Sequence, residues 1–230
     1  MQKIIKQKKI IMMEVIKMKN DLIRRNYDFE IRAEKDEKKG NIIVGRPIVY
    51  DSKTDIAGMF AEIIERGALK KTNLEDVRFL VNHDQSKVPL ARSRRNSKNS
   101  TMQLSVDDDG MEIKVELDTE NNTEARNLYS AIERGDITGM SFMFGIEDEE
   151  WEGLDTDYPT RHIKAISTVV EVSAVTFPAY QETSISARDK SAVETARIAV
   201  ETARSGEVDT SSKNQLELEK LKIKYLLGGK

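Results

Sequence analysis

The chain contains no cysteine, two histidines, four prolines and one tryptophan in 230 residues. Without cysteine there is no thiol nucleophile, no thiolate metal site and no disulfide, and the composition fits a reducing compartment. With His83 and His162 as the only imidazoles, any general base working near neutral pH through imidazole is one of these two. An excess of one charge is also lacking. Lys plus Arg is 37, Asp plus Glu is 40, and the formal net charge of −3 does not suit a protein that coats nucleic acid. Long hydrophobic runs are absent as well. The opening MQKIIKQKKIIMMEVIKMKN has a charged start, but its lysines interrupt every apolar stretch, and no small-residue cleavage site follows. It reads as a basic, loose lead-in that could touch a partner weakly, and no membrane span is expected. At 38% hydrophobic and 33% charged residues, the chain is too charged for a membrane protein and too apolar for wholesale disorder.

What is present divides into three parts: a basic segment 1–26, a globular domain 27–187 and a charged, partly helical tail 188–230. In the middle part Phe29, Ile31 and Ala33 alternate with polar residues as a half-buried strand does. IIVGRPIVY at 42–50 reads as a strand bent or bulged at Gly45 and Pro47. FAEIIERGAL reads as a short helix ending near Gly67. VRFLVNH, TMQLSV and MEIKVELD are strand-like, the last two joined by a hairpin turn over Asp107 to Gly110. Ala125, Leu128, Tyr129 and Ile132 form the apolar stripe of a helix stopped by Gly135. ITGMSFMFGI and IKAISTVVEVSAVTF are further strands, and FPAY is a proline-containing exit. Many strands with few helices predict an α+β domain on a sheet or barrel. In the tail, AVETAR occurs at 192–197 and again at 199–204; two heptads are too few for a coiled coil, and a helix ordered on a partner competes with a solvated tail.

No HExxH, GxxxxGK[ST] or GxGxxG motif occurs, so neither a metal nor a cofactor is expected. Ser141 lies in GMSFMF within a strand, which excludes the nucleophile elbow of GxSxG enzymes. Three segments can carry chemistry. His83 ends the alternating Val77, Phe79, Val81 strand, where it is either a hydrogen-bonded terminus or a site residue. Ser141 projects from the face opposite Met140, Phe142 and Phe144, as a small packing choice or as a nucleophile. Glu171 interrupts an apolar run and shares a face with Ser173, Val175 and Phe177. A carboxylate there either faces solvent or has a dedicated partner. A serine hydroxyl needs a histidine to take its proton, and the histidine needs a third group to fix its tautomer. Whether the three converge is not settled by their positions in the chain.

RFLVNHD, then VPLAR, LSVDDDGMEIKVELD, IERGDITGMSFMF and EVSAVTFPAY, in that order and spacing, resemble the prohead proteases of tailed bacteriophages across roughly residues 28–187. The resemblance implies a serine endopeptidase packaged in the procapsid, itself assembled in the host cytoplasm. It would cleave scaffold or the scaffolding segment of the major capsid protein, and itself. The implied fold is similar to the herpesvirus assembly proteases: a mostly antiparallel β-barrel with a few surrounding helices. It implies Ser141 as nucleophile, His83 as general base, and Glu171 as third member with His162 as the alternative. Glu171 is favoured because a carboxylate accepts the imidazole N–H directly. Arg92 in VPLAR is a candidate oxyanion or substrate contact, with a structural ion pair as its other reading. The partners expected are the capsid and scaffold proteins, with room for a homo-oligomer and no specific nucleic acid. The tail would be a handle for capsid components or a segment removed by self-cleavage. A catalytically inactive assembly module with the same fold is the competing function.

Overall fold

A computed structural model of the chain describes residues 22–27, 31–37, 39–176, 189 and 192–201. In chain order the strands before the first helix are β1 (Leu22–Tyr27), β2 (Ile31–Asp36), β3 (Gly40–Val49), β4 (Thr54–Ile56), β5 (Phe60–Ile64), β6 (Asp76–Val81), β7 (Ala91–Arg94), β8 (Met102–Val106) and β9 (Gly110–Glu116). Helix α1 (Thr123–Glu133) precedes the two long strands β10 (Gly139–Glu152) and β11 (Thr160–Val175). Residues 192–201 are helical. The basic lead-in, the FPAY exit and most of the tail lie outside the described residues. Among the described residues no helix is long and apolar enough to cross a membrane.

The strands fall into two sheets. One is ordered β2-β3-β9-β8 and is antiparallel throughout. The other runs β1-β10-β11-β5-β4, with β6 and β7 branching from β11. The expected closed barrel does not form. The second edge of β11 is shared, with Thr160–Ile163 beside β5 and Glu171–Ala174 beside β6, both parallel. The sheet therefore branches instead of returning to β1. Four register shifts between Met143 and Glu149 bend β10 over β11, the local effect of extra residues in a ladder. Both sheets and α1 feed one core, in which Phe79, Phe142, Phe144 and Ile113 are fully buried.

Local chemistry explains most elements. Asn122 caps α1, its Oδ1 accepting from the Glu124 and Ala125 N–H groups, and Ala125, Leu128, Tyr129 and Ile132 turn inward. The bulge expected near Gly45 and Pro47 is a register shift between Gly45 and Ile48 opposite β9. The helix expected from FAEIIERGAL is instead β5 followed by successive tight turns at Glu65–Ala68, Gly67–Lys70 and Leu69–Thr72. A five-residue strand with β4 on one edge and β11 on the other gains more from the ladders than from a helix too short to propagate. Gly110 opens β9 with φ +141°, and a Cβ there would sit 2.0 Å from the Ile48 carbonyl oxygen. Gly110→Ala is expected to lower the unfolding free energy by roughly 2–3 kcal/mol, read by chemical denaturation.

Candidate active site

The site is built where β6 ends beside β11. Asn82 and His83 both have positive φ, 51° and 59°, a costly conformation for two consecutive non-glycine residues. The turn is held by bonds to β11. The Asn82 N–H donates to the Ala174 carbonyl at 2.9 Å, the Asn82 amide donates to Thr176 Oγ1 at 3.0 Å, and the Thr176 N–H returns a bond to Asn82 Oδ1 at 3.0 Å. The His83 N–H donates to Ser173 Oγ at 3.2 Å. These bonds aim the ring at the adjacent strand, where His83 Nδ1 lies 2.5 Å from Glu171 Oε1.

Glu171 is 2% exposed. Its charge is met by His83 on one oxygen and by the Ser173 hydroxyl, which donates to Oε2 at 2.7 Å. A carboxylate oxygen accepts, so this bond is donated by the imidazole N–H at Nδ1. Ser141 stands directly across from Ser173, and Met143 across from Glu171, in the β10–β11 register. Cross-strand partners share a face, so Ser141, Ser173 and Glu171 line one surface. The loop after His83 reaches the same face through Gln85, whose amide lies 3.8 Å from Met143 Sδ. Beside the turn a cleft of about 450 Å³ opens between the end of β6 and α1.

The hydroxyl of Ser141 is turned elsewhere. It is fully buried and donates at 2.7 Å to the carbonyl of Arg25 on β1. A hydroxyl has one proton, so that bond excludes simultaneous donation to His83. The Arg25 side chain enters a buried ion cluster: two bonds to Glu62, 2.6 and 2.9 Å, and one to Asp189, 2.9 Å. Arg161 approaches the same Glu62 at 3.5 Å and also binds Glu149. Among the described residues no group of three or more His, Asp and Glu side chains is placed to hold a metal ion.

A family model described as the caudovirus prohead serine protease matches residues 27–198. The chain belongs to that family. The prohead protease of Enterobacteria phage HK97 is 29% identical over 161 residues, 69% of this chain and 64% of that protein, so the chain spans less than two thirds of its length. A solved structure of the bacteriophage T4 capsid assembly protease covers 67% of this chain and 97% of its own at 12% identity, with a TM-score of 0.37.

For this family member, the residues singled out in the sequence are distributed as follows. His83 and Glu171 are in contact, and Ser141 shares their sheet face without bonding His83. His162 is nine residues before Glu171 on β11, roughly 30 Å along an extended strand. Its ring lies against Glu65 at 3.1 Å and Glu152 at 3.4 Å. Arg92 makes two bonds to Asp76, 2.6 and 2.7 Å, and holds that carboxyl below the usual carboxylate range. Ser173, Arg25, Glu62 and Asp189 were not anticipated. Ser173 had a signal, its shared face with Glu171. The others are joined across 37 and 164 residues of chain and have no local signature. Ser173→Ala removes the donor to Glu171 and the acceptor of the His83 N–H. It is expected to cost roughly 1–3 kcal/mol of stability, read by denaturant titration.

Proposed function

We propose that the chain is a serine endopeptidase that cleaves scaffold or the scaffolding segment of the capsid protein, and itself, within the procapsid in the host cytoplasm. The observation that carries this reading is the buried Glu171–His83 pair on the sheet face that also bears Ser141. In this reading Ser141 Oγ attacks the scissile carbonyl carbon as its proton passes to His83 Nε2. Glu171 holds the tautomer and stabilises the imidazolium. The imidazolium then gives its proton to the departing amine, and water releases the acyl group by the same path in reverse. His162 takes no part, because its ring is committed to carboxylates at the opposite end of β11. Arg92 is assigned no step either, since its fork is bound to Asp76. The oxyanion donors are left to backbone N–H groups. Family membership and the resemblance to a phage prohead protease support the substrate class and the setting.

One observation favours a second reading, an assembly module without catalysis: the Ser141 hydroxyl is buried and bonded to Arg25. Co-expression with the cognate capsid and scaffold proteins separates the two. The unaltered chain is expected to give shortened products. Ser141→Ala is expected to reduce processing by about 10⁴-fold or more; no processing by the unaltered chain selects the module, and equal processing by both removes Ser141 as nucleophile. Glu171→Gln is expected to lower turnover severely and His162→Ala to leave it within about threefold. The reverse order in the processing assay would exchange their roles.

A further inference from the structure

β1 lies antiparallel along the nucleophile strand, with Leu22 to Tyr27 opposite Gly145 to Met140 and Asn26 opposite Ser141. The other edge of β10 is filled by β11. An extended peptide that reaches Ser141 by adding to the sheet must therefore use the edge that β1 now holds. β1 does two things there that a bound peptide would do. It brings a backbone carbonyl, that of Arg25, to 2.7 Å from Ser141 Oγ. It also delivers a side chain into a prepared pocket, where Glu62 is 1% exposed and takes both arms of the Arg25 fork.

We infer that the β10 edge beside Ser141 is a peptide track with a buried acidic subsite at Glu62, and that β1 fills this track in the resting chain as a removable plug. The inference rests on the peptidase reading for what the track is for, and on geometry alone for what occupies it. The occupant it selects is an extended peptide carrying a basic side chain at the position of Arg25. A carboxylate as deep as Glu62 is costly unless a cation meets it. Arg161 approaches only one of its oxygens, at 3.5 Å, and divides its charge with Glu149. A replacing strand that brings a neutral or acidic residue leaves Glu62 under-compensated. Asp189 adds a second carboxylate to the same guanidinium at 2.9 Å and ties the plug to the segment before the 192–201 helix. Among the described residues β1 ends the sheet order, and its described ladder is with β10.

The absence of cysteine allows a test that needs no catalysis. Ser141→Cys introduces the sole thiol of the full chain, and its reaction rate with a small disulfide reagent reports access to the nucleophile position. Adding Arg25→Ala is expected to raise that rate by about tenfold or more, while adding Arg24→Ala, an exposed neighbour, leaves it unchanged. A synthetic peptide of residues 22–27 is expected to restore slow labelling in the Ser141→Cys, Arg25→Ala chain, and the same peptide with Arg25→Glu is not. Equal rates with and without Arg25→Ala, or equal protection by the two peptides, overturns the inference. If Arg25→Ala unfolds the chain by stranding Glu62, hydrogen exchange on the unaltered chain decides. Amides of β1 are expected to exchange about tenfold or more faster than those of β11 that pair with β10, and equal protection overturns the plug. A chain that labels as expected yet processes no capsid protein sinks the peptidase reading alone. One that processes capsid protein with equal labelling rates sinks the plug alone.

Discussion

The structure around the site depends on one buried charge. Glu171 sits in the middle of β11 with almost no solvent, among valines that line both sides of its strand. Such a carboxylate is destabilising by several kcal/mol unless its oxygens are met by donors. Each oxygen has one: His83 Nδ1 and the Ser173 hydroxyl. Meeting that requirement brings the end of β6 to β11 and holds two residues at positive φ. It also fixes which imidazole nitrogen carries the proton. The same atoms that stabilise the carboxylate thus orient the His83 ring.

The curved β10–β11 ladder makes the second arrangement. Register shifts bend the pair, β11 divides its outer edge between β5 and β6, and Glu62 on β5 comes within reach of Arg25 on β1. Two charged networks therefore flank one serine. The Glu171 network holds the His83 ring from one side. The Glu62 network holds a strand over the hydroxyl from the other. In the proposed reading this is a resting geometry, with the histidine oriented by Glu171 and the Ser141 hydroxyl covered by β1.

Much of this was legible in the residues. The α1 stripe and its stop at Gly135, the hairpin at Asp107–Gly110 and the bend near Gly45 follow from short-range patterns, and the structure carries each. Glu171 was open between solvent and a dedicated partner, and the face it shares with Ser173 was readable from strand period alone. FAEIIERGAL was misread as a helix because its pairing with β11 joins residues a hundred positions apart, which local propensity does not encode. The barrel failed for a related reason: branching at β11 is a property of two parallel pairings, neither signalled by the alternation within any one strand. Arg25 lay in a segment read as a loose basic lead-in, and nothing in its neighbours marks Glu62 as its partner.

The account turns on Glu171 fixing the state of His83, and ring-nitrogen NMR of His83 in the full chain tests it most directly. The account predicts a neutral ring protonated on Nδ1 and unprotonated at Nε2, with that Nδ1 proton lost from its hydrogen bond when Glu171→Gln is introduced. A His83 ring protonated on Nε2 alone, or one indifferent to Glu171→Gln, would contradict it.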